Sequence, residues 1–329
     1  MIYLDILITK KLKFEYKNTK NILIIRMEKK DSSEKYIPIE LLINIISFLP
    51  IEYTLICRNV CMSWLKNLKS NFSKKILPSI PKNVCYIESL KIDLASRIIV
   101  KIRDLIYVSD GSKSHVIDIK NFKLLKSYKL SQYVTIMSSN DKYFCLKNCK
   151  EILVFEIGKD DPICTIPEVI DFYSLAIDNN NNICISTYDK FYIYNLEGKM
   201  IRSWNLVGRN GHCSRKIEFN KNEIYMVDTP CNRICVFSYE GTLIRSWGST
   251  DDEKEKFLNP WGITIHKDIV YVADSGNKRI QAFTCYGKFI FEYKLMAIRD
   301  ISDIIIINDH IYIGDWIDTY ITKFKLIYK

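Results

Sequence analysis

The sequence predicts a mainly β protein in which six four-stranded sheets close into a ring, preceded by a small three-helix segment. The main observation is a repeat with a period near forty residues, which runs from about residue 97 to residue 329. Composition agrees, because the chain has 21 Tyr and 15 Phe while alanine is scarce, and aromatic residues favour strands over helices. A repeat of this length with several short strands per unit predicts a six-bladed β-propeller.

The repeat is clearest in two copies, in which a strand ends in Asp228 or Asp274. A short turn then leads to an alternating strand that starts at Arg233 or Arg279. Weaker copies share an equivalent central residue. The six central positions are 37, 40, 41, 46 and 41 residues apart: Tyr107, Phe144, Cys184, Tyr225, Tyr271 and Tyr312. Such units bury their apolar faces against their neighbours, so six of them favour a closed ring over residues 97–329.

The sixth unit has room for only three strands before residue 329, so its outermost strand must come from elsewhere. Residues 84–90, directly upstream of the first unit, are apolar enough to supply it. We therefore expect residues 76–96 to form a linker and a ring-closing strand.

The best-preserved unit resembles an NHL repeat. It reads Asn259-Pro260-Trp261-Gly262-Ile263, followed by Val-Ala-Asp-Ser-Gly-Asn-Lys-Arg-Ile at 272–280. The unit around Asp228 also matches. At Asp110 and Asp315 the acid is kept, but the asparagine and arginine are replaced. We interpret these aspartates as acceptors of turn N–H groups and not as catalytic or metal-binding residues.

Nothing in the sequence indicates an enzyme, a metal site or a cofactor. The four histidines fall in different repeats: His115, His212, His266 and His310. There is no glycine-rich phosphate loop or nucleophile elbow, and no carboxylate or histidine cluster is legible for the central channel. The eleven cysteines include no Cys-x-x-Cys, which favours buried free thiols in a reducing compartment.

The three-helix segment spans residues 36–75. Apolar residues recur at helical spacing from Leu41 to Leu49, Pro38 suits a first helical turn, and Pro50 ends the helix. Two shorter apolar stretches follow. A segment of about forty residues cannot bury so many large side chains within itself. The sequence therefore predicts a docking module.

This segment resembles an F-box, the motif by which substrate receptors attach to the Skp adaptor of cullin-RING ubiquitin ligases. The resemblance is carried by the Ile-Pro-x-Glu-Leu-Leu opening, the Phe-Leu-Pro helix end and Val-Cys-x-x-Trp. It implies a Skp-type adaptor and a cullin-RING ligase as partners. The residues expected to contact the adaptor are Ile37, Pro38, Ile39, Glu40, Leu41, Leu42, Ile45, Phe48, Leu49, Pro50, Leu55, Val60, Cys61 and Trp64.

We expect the propeller to bind a target protein through the loops of one face, where arginine and aromatic residues provide typical hot spots. The candidate residues are Arg209, His212, Arg233, Trp261, Lys278, Arg279 and Trp316. The structural alternative is that the tryptophans pack between blades and the arginines are solvated. A second alternative is RNA binding by Arg209, Arg215, Lys216, Arg233, Lys278 and Arg279. A third is a scaffold that occupies the adaptor without delivering a target.

Charge distribution argues against a nucleic-acid-binding propeller. Residues 1–80 hold 14 Lys/Arg and 7 Asp/Glu, whereas residues 81–329 hold 34 and 31, a balance of only +3. Residues 1–35 form an N-terminal extension, and either the native chain starts at Met27 or residues 1–26 form a separate strand pair. No apolar run is long enough for a membrane span and no signal peptide is legible, which predicts an intracellular protein, cytoplasmic or nuclear. The sequence also resembles proteins of large DNA viruses of amoebae, which implies a host-cell location.

Overall fold

The chain divides into two compact units, Met1–Ser79 and Ile80–Lys329. The computed structural model describes residues 12–17, 22–27, 81, 83–92, 98–130, 133–134, 136–148, 150–167, 172–206, 214–248, 255–296 and 298–328. The expected three-helix segment, with every residue assigned to adaptor docking, lies outside these residues.

In the first unit the described residues form one antiparallel hairpin. Strand β1 (Leu12–Lys17) pairs with β2 (Ile22–Met27), and Leu12 lies opposite Met27. Strand β1 alternates apolar and charged residues, a pattern typical of strands. The hairpin corresponds to the strand pair that the sequence suggests for residues 1–26. The other interpretation, a native start at Met27, stays a prediction.

The described residues of the second unit form six four-stranded antiparallel sheets, the blades, which confirms the predicted six-bladed propeller. Blades 1 to 5 each use four consecutive strands, and blade 6 combines three consecutive strands with β3 (Asn83–Lys91). Blade 1 contains β4 (Ile98–Ile102), β5 (Leu105–Ser109), β6 (Lys113–Asp118) and β7 (Lys123–Lys129). Blade 2 contains β8 (Ile136–Ser139), β9 (Tyr143–Lys147), β10 (Glu151–Glu156) and β11 (Cys164–Pro167). Blade 3 contains β12 (Phe172–Ile177), β13 (Ile183–Thr187), β14 (Lys190–Tyr194) and β15 (Met200–Asn205).

The remaining blades follow the same order from the inside of the ring outwards. Blade 4 contains β16 (Ser214–Asn220), β17 (Glu223–Asp228), β18 (Arg233–Ser238) and β19 (Leu243–Trp247). Blade 5 contains β20 (Pro260–His266), β21 (Ile269–Asp274), β22 (Arg279–Thr284) and β23 (Phe289–Lys294). Blade 6 contains β24 (Ile301–Ile307), β25 (His310–Asp315) and β26 (Tyr320–Ile327), with β3 outermost.

The core lies between the blades. The first strands of neighbouring blades contact each other around the whole ring, including β24 with β4. Apolar clusters fill the spaces between adjacent blades, and the central residues Tyr225, Tyr271 and Tyr312 are almost fully buried there. This arrangement explains the period of the sequence, because every unit must present apolar residues to both of its neighbours.

A repeated contact joins the outer strand of one blade to a turn of the next. Trp204 of blade 3 packs against Gly241 of blade 4, and Trp247 of blade 4 packs against Gly287 of blade 5. Both glycines have positive φ, and a Cβ at Gly241 would lie 2.5 Å from the Trp204 ring. Glycine is required here for its backbone conformation and for the close approach of the indole.

The ring closes through pairing of β26 with β3. Thr322 lies opposite Ser89 and Leu326 lies opposite Val84 in an antiparallel register. Val84 and Leu326 are buried in the apolar cluster between blades 5 and 6. Residues 84–90, which the sequence offered as the donor, lie within the strand that fills this position.

This closure makes a stability prediction. We expect Leu326→Ala, at a site 1% exposed, to lower the free energy of unfolding by about 2–5 kcal/mol, because it leaves a cavity in the closing blade. The matched control is Leu125→Ala, at a site 56% exposed, which we expect to change it by less than about 0.5 kcal/mol. Urea denaturation of both variants measures the difference. Equal losses would contradict the buried position of Leu326.

Candidate functional site: the motif-bearing face and the central channel

The repeated aspartates lie at one face of the propeller, where the second strand of each blade ends. The Oδ1 atom of Asp110 accepts the N–H groups of Ser112 and Lys113 at 2.7 and 2.8 Å. The Oδ1 atom of Asp315 accepts those of Ile317 and Asp318 at 2.9 and 3.0 Å. In blades 1 and 6 these residues therefore cap turns, as the sequence indicates. We call this surface the motif-bearing face.

In blades 4 and 5 the aspartate also holds the arginine of the repeat. The Nε atom of Arg233 donates to Asp228 Oδ2 at 2.7 Å, and the Nε atom of Arg279 donates to Asp274 Oδ2 at the same distance. In both blades a short 3₁₀ turn ends in a residue with left-handed backbone, Asn232 or Lys278. The turn brings the arginine back onto the aspartate, so the spacing of the motif produces an ion pair.

Arg279 is buried, which corrects its assignment to an exposed target-binding face. Its side chain is 4% exposed and that of Asp274 is fully buried. Its Nη1 atom donates to Glu292 Oε2 at 2.9 Å, and its Nη2 atom donates to the Lys256 carbonyl at 2.8 Å. These bonds join β21, β22, β23 and the loop before β20. Arg279 thus stabilises blade 5 and offers almost no surface to a partner.

The other predicted face residues divide into three groups. Arg233 is paired with Asp228 but remains partly exposed. Trp261 and Trp316 are partly exposed and Lys278 is exposed. Arg209 and His212 lie outside the described residues.

Trp261 and Trp316 form an aromatic pair at the mouth of the central channel. Their ring centroids are 6.0 Å apart with an interplanar angle of 73°, an edge-to-face contact. The register of β20 shifts between Pro260 and Gly262, so Trp261 is the extra residue of a β-bulge. A bulge turns a side chain away from its usual direction, and here the indole lines the channel.

The first strands of the blades surround a central cavity of about 540 Å³. Both polar and apolar residues line it, and its wall carries an ion pair between two blades that are not adjacent. Lys216 of β16 donates from Nζ to Asp303 of β24, at 2.8 Å to Oδ1 and 3.0 Å to Oδ2. Asp303 also accepts the N–H groups of Ile99 and Ile304 at 3.1 and 2.8 Å. Both carboxylate oxygens are therefore occupied by donors within the chain.

A second carboxylate, Glu218, lines the same cavity two residues after Lys216. Burial raises the pKa of Glu218 to about 7; the Lys216 charge lowers that pKa and the Asp303 charge raises it further. Burial alone would lower the pKa of Lys216, but the charges of Asp303 and Glu218 raise it above its ordinary value. The Glu218 side chain is partly exposed, and it lines the cavity inside the channel. It is thus an acid that changes charge near neutral pH.

The channel cluster of Lys216, Glu218 and Asp303 is not among the predicted site residues. Two features of the sequence could have indicated it. Strand β16 has charged residues at alternate positions, where the first strands of other blades are mostly apolar, and blade 6 has an acid inside the run Ile-Ser-Asp-Ile-Ile-Ile-Ile. Within the described part of the chain, no group of three or more His, Cys, Asp or Glu residues is placed to hold a metal ion. The described cysteines are free, and burial raises the pKa of Cys145 and Cys184 so that both thiols stay protonated. Nor does any helix within those residues have the length and apolarity to cross a membrane.

Comparison with known families identifies the repeat. A model of the NHL repeat matches residues 257–283, which extend from the loop before blade 5 to β22. No curated protein sequence matches the chain.

Comparison with solved structures identifies the fold. The WD40 β-propeller domain of Doa1 has a TM-score of 0.56 at 10% identity, over 74% of this chain and 97% of that one. Virginiamycin B lyase from Staphylococcus aureus has a TM-score of 0.56 at 11% identity, over 74% and 99%. Hydrazine synthase of Kuenenia stuttgartiensis has a TM-score of 0.54 at 10% identity, over 73% and 98%.

The chain is thus a six-bladed β-propeller protein that carries an NHL repeat. At such low identities the structural matches establish the fold alone, and they include an enzyme as well as a WD40 domain. The fold does not define the activity, because one fold can serve many functions.

The buried ion pair of blade 5 makes a second stability prediction. We expect Arg279→Ala to lower the free energy of unfolding by about 3–5 kcal/mol, since it leaves Asp274 buried without its cation. Arg299→Ala is the control, because the Arg299 side chain is 67% exposed and its pair with Asp318 should contribute no more than about 1 kcal/mol. Chemical denaturation compares the two. A similar small loss in both variants would show that Arg279 is not a structural tie.

The raised pKa of Glu218 predicts that the stability of the chain depends on pH. In the folded chain Glu218 keeps its proton up to about pH 7, whereas an ordinary glutamate releases its proton near pH 4.5. The native state therefore binds more protons between these values, and the wild type loses stability as pH rises through them. Glu218→Gln does not ionise, so its stability relative to the wild type should rise by about 2–3 kcal/mol between about pH 5 and pH 8. Denaturation curves at both pH values test this, and an unchanged difference would contradict it.

Proposed function

We propose that this chain is the substrate-recognition subunit of an SCF-type cullin-RING ubiquitin ligase. Residues 36–75 would dock to a Skp-type adaptor and the propeller would bind the target protein. The observation that carries the proposal is the presence of all three F-box anchor groups at the family's spacing in the sequence. The division of the chain at Ser79 also agrees with a docking module followed by an independent recognition domain.

The propeller offers a protein-binding surface on its motif-bearing face. Trp261, Trp316 and Lys278 retain accessible surface there, and tryptophan is among the residues that dominate binding energies at interfaces. In this role the chain needs no catalytic group of its own. It raises the local concentration of the target near the enzyme that carries ubiquitin, and the ligase partners perform the transfer.

Protein recognition is favoured over RNA binding by the state of the basic residues. Three of the six residues considered for RNA are neutralised by aspartates: Lys216 by Asp303, Arg233 by Asp228 and Arg279 by Asp274. RNA affinity depends on cations that are free to replace counterions at phosphates. These three contribute little to such a surface.

The adaptor interaction has a direct test. We expect the full chain to co-purify with a Skp-type adaptor, and the triple variant Pro38→Ala, Leu41→Ala, Trp64→Ala to lose it, because these residues supply the helix start and two apolar anchors. Three exposed propeller residues changed to alanine, Tyr86, Leu125 and Ile201, provide a matched control that keeps the adaptor. Undiminished adaptor binding by the folded triple variant would falsify the proposal.

Target capture is measured separately from adaptor docking. Trp261→Ala with Trp316→Ala should keep the adaptor and lose target proteins identified by mass spectrometry of the complex. Adaptor binding without any ubiquitylated target would instead favour the scaffold that occupies the adaptor. RNA bound by the propeller in a salt-dependent manner would favour the RNA alternative.

A further inference from the structure

We propose that the central channel is a binding site for an organic cation with N–H donors, an alkylammonium or alkylguanidinium group. The inference goes beyond the proposed function and does not depend on it. It is carried by three features of the cavity: an ionisable carboxylate without a cation of its own, buried hydroxyls without partners, and an aromatic pair at the entrance.

The carboxylate is Glu218. Lys216 already donates to both oxygens of Asp303, so these two charges neutralise each other. Among the residues described in the structure, none places a cation within ion-pair distance of Glu218. The group of Lys216, Asp303 and Glu218 therefore carries one surplus negative charge when Glu218 ionises, while Lys101, Arg103 and Asp141 line the cavity elsewhere. In an enclosed site such a charge favours a cationic ligand that supplies its own hydrogen bonds.

The hydroxyls belong to Ser174 and Ser302. The two residues are 2% and 6% exposed, both line the cavity, and neither Oγ atom has a hydrogen-bond partner. Buried polar groups without partners are uncommon in native structures and invite a ligand explanation. Each oxygen is able to accept an N–H donor. Both serines line the same cavity as Glu218, and rotation about χ1 would bring either buried oxygen to a donor in the cavity.

The aromatic pair makes the entrance suitable for the same ligand. Trp261 and Trp316 line the cavity on the motif-bearing face. Indole rings attract organic cations through their negative π faces, by about 0.5–1 kcal/mol at exposed sites. A primary ammonium group has three N–H donors and an alkylguanidinium has five, which matches a carboxylate and two hydroxyls. The cation could be a free small molecule or an arginine or lysine side chain of a protein target.

Calorimetric titration of the purified full chain tests the proposal with two probes. Butylguanidinium represents a free small cation, and the blocked tripeptide acetyl-Gly-Arg-Gly-amide represents a side chain in a protein. Tighter binding of the tripeptide would assign the site to protein targets, and tighter binding of butylguanidinium would assign it to small molecules. Both results support a cation site. Absence of binding by either probe would overturn it.

Variants locate the site. Glu218→Gln should weaken binding of the better probe by about tenfold or more, because a charge-assisted hydrogen bond is lost. Glu240→Gln, with an exposed side chain, is the matched control and should leave affinity unchanged. Ser302→Ala should weaken binding several-fold while the chain stays folded, since that hydroxyl has no partner to lose. Undiminished affinity in Glu218→Gln, or equal affinity for tetramethylammonium, which has no N–H donor, would overturn the proposal.

Discussion

The pairing of β3 with β26 is the interaction on which the rest of this structure depends. Strand β3 precedes the first blade and β26 belongs to the last, so their ladder joins the two ends of the propeller sequence. Without it, β26 would present an open edge and the cluster around Val84 and Leu326 would lose one wall. A closed ring is also what brings Lys216 of blade 4 to Asp303 of blade 6. The fold, the channel and the motif-bearing face thus share one constraint.

The charged residues fall into two classes with different consequences. Those of the NHL motif serve the fold: Asp274 and Arg279 neutralise each other inside blade 5, and Asp228 and Arg233 repeat the pair in blade 4. Glu218 belongs to no motif, and it is an acid in the cavity whose raised pKa makes it ionise near neutral pH. The most legible residues of the repeat are therefore structural, and a ligand or target has to be recognised by side chains that differ from one blade to the next.

This division explains what the sequence could predict. The number of blades and the strand that completes the sixth follow from a local, periodic burial pattern, which every unit repeats. The channel cluster does not, because Lys216 and Asp303 are 87 residues apart and meet only when the ring closes. Arg279 was misplaced for a similar reason: an arginine at the start of a strand resembles a surface residue until its turn folds it onto Asp274. The docking module remains a prediction from its motif.

A cross-link between β3 and β26 tests closure of the ring most directly. Thr322 lies opposite Ser89 and their hydroxyl oxygens are 3.0 Å apart, so Ser89→Cys with Thr322→Cys should form an intramolecular disulfide on oxidation. Peptide mapping should identify that bond, and the unfolding midpoint should rise because the cross-link constrains the unfolded chain. Cys85, which lies opposite Lys325, is replaced by serine in both variants. The pair Ser89→Cys with Lys325→Cys is out of register and should then not cross-link. Failure of the first pair to cross-link, or equal cross-linking of both pairs, would contradict a ring closed by β3.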